Sequence, residues 1–127
     1  MRLLLDTCTF LWLAGGGSLS PAAAAAVRDP SNDVYLSAVS TWEIVAKHRA
    51  GRLPLPEPPD RLIPAERRLR GVTALPFDEE SALQGLRLPA LHRDPFDRML
   101  IAHAIALGLA IVTPDQAIAQ YPVRVIW

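Results

Sequence analysis

Short apolar runs alternate with helical segments along the whole chain, and no other feature of the sequence constrains the fold as strongly. Strands that are buried on both faces of a parallel sheet are continuously apolar, and the crossovers between them are usually helices. We therefore predict an α/β fold of three layers, with a mainly parallel central sheet of four to five strands and helices on both faces. The predicted strands are Arg2–Leu5, Val34–Leu36, Val72–Leu75, Leu109–Val112 and Val123–Ile126.

Turn and capping residues separate the helical segments. Ser20 before Pro21 is a helix start, since serine is a good N-cap and proline suits the first helical position, while Gly108 is a typical helix end. The predicted helices are Thr9–Ala14, Pro21–Arg28, Ser37–Arg49, Asp60–Arg70, Glu79–Leu86, Pro95–Leu107 and Pro114–Gln120.

Composition limits the classes of protein to which the chain can belong. Its 127 residues, half of them hydrophobic, suit one globular domain over residues 1–127, and its formal net charge is zero. Any nucleic-acid contact must then come from a local basic patch. A single cysteine, Cys8, excludes an internal disulfide and favours the cytoplasm. The longest apolar run, broken by His103, is shorter than a membrane span requires, so we expect no membrane association.

Four acidic residues occupy equivalent places in the predicted topology. Asp6 ends the first strand and Asp115 follows the fourth, while Glu43 and Asp97 are predicted in the first turns of helices. In open α/β sheets the carboxyl ends of strands and the N-termini of helices gather at one edge, where functional sites form. The four carboxylates can therefore converge on one crevice.

Helix capping is the alternative explanation for each acid taken singly. Ser40 and Glu43 have capping-box spacing, Asp94 precedes a proline and the first-turn acid Asp97, and Thr113 precedes the segment that contains Asp115. A first-turn acid stabilises a helix by ~0.3–1 kcal/mol through the helix dipole, so each residue alone has a structural role.

Taken together, the acids favour a cation site. Two carboxylates ~4 Å apart repel each other by about 4 kcal/mol at an effective dielectric constant of 20, so a cluster requires a cation or bound protons. Mg²⁺ or Mn²⁺ suits carboxylate oxygens and water. One cysteine and three scattered histidines give no zinc-ligand spacing.

The same acids lie in segments that resemble the PIN domains of VapC-type toxins. The resemblance spans almost the whole chain in the right order, and the stretch HRDPFDR is its most specific part. Pro114 departs from the usual pattern, where another small residue is frequent. The matching segments are Leu3–Thr7, Ser37–Ile44, His92–Ala102 and Val112–Asp115.

This resemblance implies a PIN-like (Rossmann-like) fold and a Mg²⁺-dependent endoribonuclease, with Mn²⁺ as a possible substitute. It also implies the toxin component of a type II toxin–antitoxin system, a homodimer that cuts RNA and is neutralised by a cognate VapB-like antitoxin. The alternative is a catalytically inactive PIN fold that serves only as a binding module.

By the same resemblance, the acidic quartet is Asp6, Glu43, Asp97 and Asp115. We predict that Asp6 and Asp97 bind the principal metal directly, and that the other two act through water or bind a second metal. The Thr7 and Thr113 hydroxyls are candidates to orient water or a ligand, with local backbone bonding as the alternative, which is favoured for Thr7.

Flanking residues have secondary predicted roles. Asp94 is assigned mainly to capping, with outer-shell metal contact as the alternative. Arg93 and Arg98 are candidates for RNA phosphate contacts, or else for ion pairs with the acids. The basic residues Lys47, Arg49 and Arg52, around the end of the third helix, are predicted to form a solvated face, with RNA or antitoxin contact as the alternative. The three histidines are predicted to be structural or surface residues.

Overall fold

Five parallel strands form the central sheet in a computed structural model that describes residues 1–127. Their spatial order is β3-β2-β1-β4-β5, and all four neighbouring pairs are parallel. This confirms the predicted α/β fold and its parallel sheet. The strands are β1 (Arg2–Leu5), β2 (Asp33–Ser37), β3 (Val72–Leu75), β4 (Ala110–Val112) and β5 (Val125–Ile126).

Six α-helices connect and cover the strands. They are α1 (Thr7–Gly15), α2 (Pro21–Arg28), α3 (Ala38–Arg49), α4 (Pro59–Arg70), α5 (Glu79–Gln84) and α6 (Pro95–Leu107). The helix predicted over Pro114–Gln120 is wrong, because only a 3₁₀ turn forms there, at Ile118–Gln120. Side chains replace helical bonding in this segment: the Asp115 amide donates to the Thr113 hydroxyl, and Asp115 accepts from the Ala117 amide.

The capping-box interpretation of Ser40 and Glu43 is also wrong. Ser37 ends β2 and is itself the N-cap of α3, since its side chain accepts a 3.0 Å hydrogen bond from the Val39 amide. The chain passes from strand to helix without a loop, so Glu43 lies in the second turn of α3 rather than the first. Glu43 is therefore free of capping and can serve another purpose.

Apolar side chains pack against both faces of the sheet. Alternate residues of β1 point to opposite faces, with Leu3 and Leu5 in one buried cluster and Leu4 in the other. All three are fully buried, as expected for the central strand of a sheet covered on both sides. The two apolar layers confirm the predicted three-layer arrangement.

Strand register determines where the site can form. Leu5 at the end of β1 pairs with Val112 at the end of β4, so Asp6 and Thr113 follow side by side at the carboxyl edge. β2 ends at the same edge and leads directly into α3. None of the helices combines the length and apolar character needed to cross a lipid bilayer.

Candidate metal centre

The four acids predicted from the sequence lie in the lining of one cleft, with a volume of about 420 Å³. The cleft opens at the carboxyl edge of the sheet, where Asp6 follows β1 and Glu43 reaches in from α3. Asp97 contributes from the first turn of α6, and Asp115 from the turn after β4. Residues separated by more than a hundred positions are thus brought to one site. Capping alone does not require this convergence.

Asp6 is held by donors from two elements. Its Oδ1 accepts from the Thr7 amide at 2.7 Å, which makes Asp6 the N-cap of α1. Its Oδ2 accepts from the Thr113 hydroxyl at 2.6 Å and from the Cys8 thiol at 3.4 Å. Asp6 is only 6% exposed. A nearly buried carboxylate with this many donors has a fixed orientation, as a metal ligand needs.

Glu43 is held from both sides. One of its oxygens accepts from the Thr7 hydroxyl at 2.7 Å, and the other forms a salt bridge with Lys47 one turn further along α3. The Thr7 hydroxyl also lies 2.9 Å from that of Ser40. The prediction that Thr7 bonds its local backbone through its hydroxyl is therefore wrong. Thr7 instead links α1 to α3 and fixes the position of Glu43.

Asp97 lies beside an N-cap and a histidine. Asp94 caps α6 through bonds from the amides of Phe96 and Asp97, which confirms its predicted capping role, and it also borders the cleft. Oδ2 of Asp97 is 3.0 Å from Nε2 of His92, whereas Oδ1 has no protein donor. This leaves one oxygen of Asp97 available for a cation.

The cleft has a negative charge that its own cations only partly offset. Five carboxylates border it (Asp6, Glu43, Asp94, Asp97 and Asp115), against two basic side chains (Lys47 and Arg52), so its formal charge is −3. Such an excess attracts cations and disfavours a further negative charge.

Burial and neighbouring charge change the proton affinity of groups in the cleft. Desolvation, reinforced by repulsion from Asp6 and Asp94, raises the pKa of Asp97 to about 7. The hydrogen bond to Glu43 raises the pKa of Lys47, which keeps its ammonium charged. Burial and the charge of Asp6 raise the pKa of the Cys8 thiol to about 12, so Cys8 is a poor thiolate ligand or nucleophile.

The donor set suits a hard divalent cation. Its ligand atoms are mainly carboxylate oxygens, and Asp97 at neutral pH is balanced between a proton and a cation. A bound Mg²⁺ or Mn²⁺ would replace that proton and relieve the repulsion between the acids. His92, Asp97 and Asp115 also present one ligand atom each within 4.8 Å of one another.

The two arginines proposed for phosphate contact lie elsewhere. Arg93 and Arg98 border a different cavity, next to Phe77 and Met99, and neither forms an ion pair with the acids. The Arg98 guanidinium donates to the Pro89 carbonyl at 3.0 Å and to the Tyr121 hydroxyl at 3.3 Å. The expectation that these side chains flank the acids is therefore corrected.

Three groups at the cleft were not predicted to lie beside the acids. Lys47 and Arg52 border it instead of forming only a solvated face, and His92 faces the acids. For Lys47, the sequence did contain a signal, because Lys47 and Glu43 are one helical turn apart and can therefore form an ion pair. Arg52, which follows the end of α3, was considered for RNA contact only as the alternative to a solvated face.

Comparison with known proteins agrees with this architecture. A family model described as PIN domain matches residues 3–123. A curated relative, Ribonuclease VapC16 of Mycobacterium tuberculosis, is 43% identical over 54 residues, which are 42% of this chain and 38% of the relative. The matched part thus spans well under half of that relative.

Solved structures with the same fold cover nearly the whole chain. The VapBC2 complex of Rickettsia felis bound to a promoter DNA fragment matches with a TM-score of 0.75 at 15% identity, covering 98% of this chain and 97% of that one. FitAcB from Neisseria gonorrhoeae matches with a TM-score of 0.61 at 24% identity, with 97% and 95% covered. At these identities the likeness shows the fold. Together with the family match over residues 3–123, it establishes that the chain belongs to the PIN domain family.

Proposed function

We propose that this chain is a Mg²⁺-dependent endoribonuclease and the toxin component of a type II toxin–antitoxin system. The observation that carries the proposal is the convergence of Asp6, Glu43, Asp97 and Asp115 on one cleft with an excess of negative charge. A cleft of this kind requires a cation before it can accept a phosphodiester, which is itself an anion.

The relatives support the reaction class and the partner. The curated relative is named a ribonuclease, and the solved neighbours include VapBC and FitAB assemblies, some of them with DNA. By analogy, we propose a VapB-like antitoxin as the partner and a homodimer as the assembly. A cytoplasmic location stays a prediction from the cysteine content.

Two of the four acids would bind the metal directly, and the other two would act through water or a second ion. Asp6 and Asp97 would hold the principal ion, because Asp97 has an oxygen without a protein donor and Asp6 is nearly buried at the centre of the edge. Glu43 and Asp115 would act through water or hold a second ion. Mg²⁺, when bound, would supply an activated water and neutralise charge on the phosphate.

Lys47 and Arg52 are the basic groups in a position to meet the RNA backbone. Both border the cleft, whereas Arg93 and Arg98 border another cavity. Lys47 also holds Glu43. We propose that these two cations bind phosphates that flank the scissile bond, since backbone contacts of this kind position RNA without reading its sequence.

Cleavage of RNA by the purified protein tests the proposal. We expect cleavage with Mg²⁺, none after chelation with EDTA, and a loss of at least about 100-fold in the Asp97→Asn variant. Asp33→Asn is the matched control, because Asp33 is an exposed acid on β2 outside the cleft, and it should cleave normally. Mg²⁺ binding without any cleavage would instead favour the inactive binding module.

A further inference from the structure

His92 faces two of the cleft acids. Its Nε2 lies 3.0 Å from Oδ2 of Asp97 and 3.8 Å from Oδ2 of Asp115. This placement allows two roles that differ in the position of one proton. Without a proton, Nε2 is a metal ligand; with one, it is a hydrogen-bond donor to the carboxylates.

The opposite side of the imidazole ring decides between these roles. The Asp94 amide donates a 3.1 Å hydrogen bond to Nδ1 of His92. A backbone N–H can only donate, so Nδ1 must present its lone pair. A neutral imidazole carries one proton, and that proton must therefore be on Nε2, next to Asp97.

The turn around His92 is fixed by further bonds. The backbone amide of His92 donates to the Tyr121 hydroxyl at 2.7 Å, and Tyr121 is only 3% exposed. Asp94, whose amide contacts the ring, is itself held as the N-cap of α6. A ring flip would break the Asp94 contact. The tautomer thus follows from the backbone of the turn.

We propose that His92 is a positioning residue that holds a protonated Nε2 beside Asp97, and not a metal ligand. This inference rests on the proposed metal-dependent function. The contact would hold Oδ2 of Asp97 away from the cation, direct Oδ1 toward it, and reduce the repulsion between the two acids. Outer-shell donors of this kind typically change metal affinity by about 10- to 100-fold.

Nitrogen NMR of the histidine side chains tests the proton position without any metal. At mildly alkaline pH the ¹⁵N shifts distinguish a protonated from an unprotonated ring nitrogen, and the chain has only three histidines. We expect His92 to carry its proton on Nε2. His48 is an internal contrast, because its Nδ1 lies 3.0 Å from the Leu53 carbonyl and must carry the proton there. An Nδ1–H form of His92 would overturn the proposal.

Mn²⁺ binding to two variants tests the expected effect of His92 on metal affinity. His92→Gln keeps an N–H donor at similar reach and should bind Mn²⁺ within about threefold of the unaltered protein, whereas His92→Leu removes the donor and should bind about tenfold more weakly or worse. Equal losses in both variants, or nitrogen coupling from His92 in the Mn²⁺ electron paramagnetic resonance spectrum, would show a metal ligand and refute the proposal.

The two tests separate this inference from the proposed function. If the unaltered protein binds no Mn²⁺ or Mg²⁺, the proposed function fails, and the NMR measurement still decides the proton position on His92. If the protein binds metal and His92 carries its proton on Nδ1, the proposed function stands and the inference fails.

Discussion

The Thr113 hydroxyl donates a 2.6 Å hydrogen bond to Oδ2 of Asp6, although the two residues lie 107 positions apart in the chain. The parallel register of β1 and β4 places them side by side, immediately beyond the paired residues Leu5 and Val112. The same hydroxyl accepts from the Asp115 amide, so Thr113 connects two of the four acids. The bond from the Asp115 amide is the local backbone bonding that the sequence offered as one alternative for Thr113, and the bond to Asp6 is one that the sequence did not predict.

Thr113→Val should weaken both folding and metal binding. The variant keeps the side-chain shape but leaves Asp6 without its shortest donor, so we expect the free energy of unfolding to fall by about 1.5–3 kcal/mol. Mg²⁺ affinity should fall by about tenfold as Asp6 loses its orientation. Urea denaturation and calorimetric titration measure the two effects.

Thr9→Val is the control for that experiment. The Thr9 hydroxyl is fully buried and donates to the Val112 carbonyl at 2.8 Å, next to the site but without touching an acid. The Thr9→Val variant should have a free energy of unfolding lower by about 0.5–1.5 kcal/mol and an unchanged Mg²⁺ affinity. Unchanged Mg²⁺ affinity in Thr113→Val would contradict the role assigned to Thr113.

Asp97 should make the metal-free protein less stable as pH rises. Its pKa is about 7 in the folded chain, against 3.8 as the ordinary value, so between these values the folded state keeps a proton that the unfolded state has lost. Stability then falls with increasing pH over this window, with a slope of up to about 1.4 kcal/mol per pH unit. Thermal melts in EDTA should show the decline, and Asp97→Asn should flatten it.

The same proton competes with the metal. Below pH 7 the apparent Mg²⁺ affinity should fall by up to about tenfold per pH unit, because the ion must displace the proton of Asp97. Titration calorimetry in buffers of different ionisation enthalpy would detect the released proton. Mg²⁺ affinity that does not vary between pH 5 and 7 would contradict direct binding by Asp97.

We expect Lys47 to neutralise part of the negative charge of the cleft in the metal-free protein. Its ammonium pairs with the nearly buried Glu43, and the side chain is 42% exposed. Lys47→Met should destabilise the metal-free protein by roughly 1 kcal/mol, a modest amount because solvent screens the pair. Mg²⁺ should then raise the melting temperature more in the variant than in the unaltered protein.

Lys47→Arg is the matched control, since it keeps the charge at this position. It should restore most of the metal-free stability and the smaller response to Mg²⁺. An equal Mg²⁺ response in Lys47→Met and Lys47→Arg would show that Lys47 does not compensate the charge of the acids.

Much of the fold was predictable because its signals are local. Short apolar runs such as Leu3–Leu5 indicate buried parallel strands, and Asp94-Pro95 marks the start of α6 with a cap and a proline. The four acids that line the cleft were also predictable from the sequence. Parallel strands bring their carboxyl ends together, so the convergence of these acids follows from the topology.

The parts that were missed depend on contacts between distant segments. Ser37 displaced Ser40 as the cap of α3 because β2 continues into the helix without a loop. Thr7 bonds Glu43 across 36 positions, and His92 faces Asp115 only after α6 and β4 have packed. No local pattern in the sequence reports such pairs. Arg98 was misplaced for the same reason, since Tyr121 holds it on another surface.

The most direct test of the account is to locate a bound ion by its effect on nearby nuclei. Substoichiometric Mn²⁺ broadens the backbone amide signals of residues close to it in a two-dimensional NMR spectrum. We predict that the amides of Asp6, Glu43, Asp97 and Asp115 broaden together, and that EDTA restores them. Broadening confined to one of these segments, or absent from all four, would contradict the claim that the acids form one cation site.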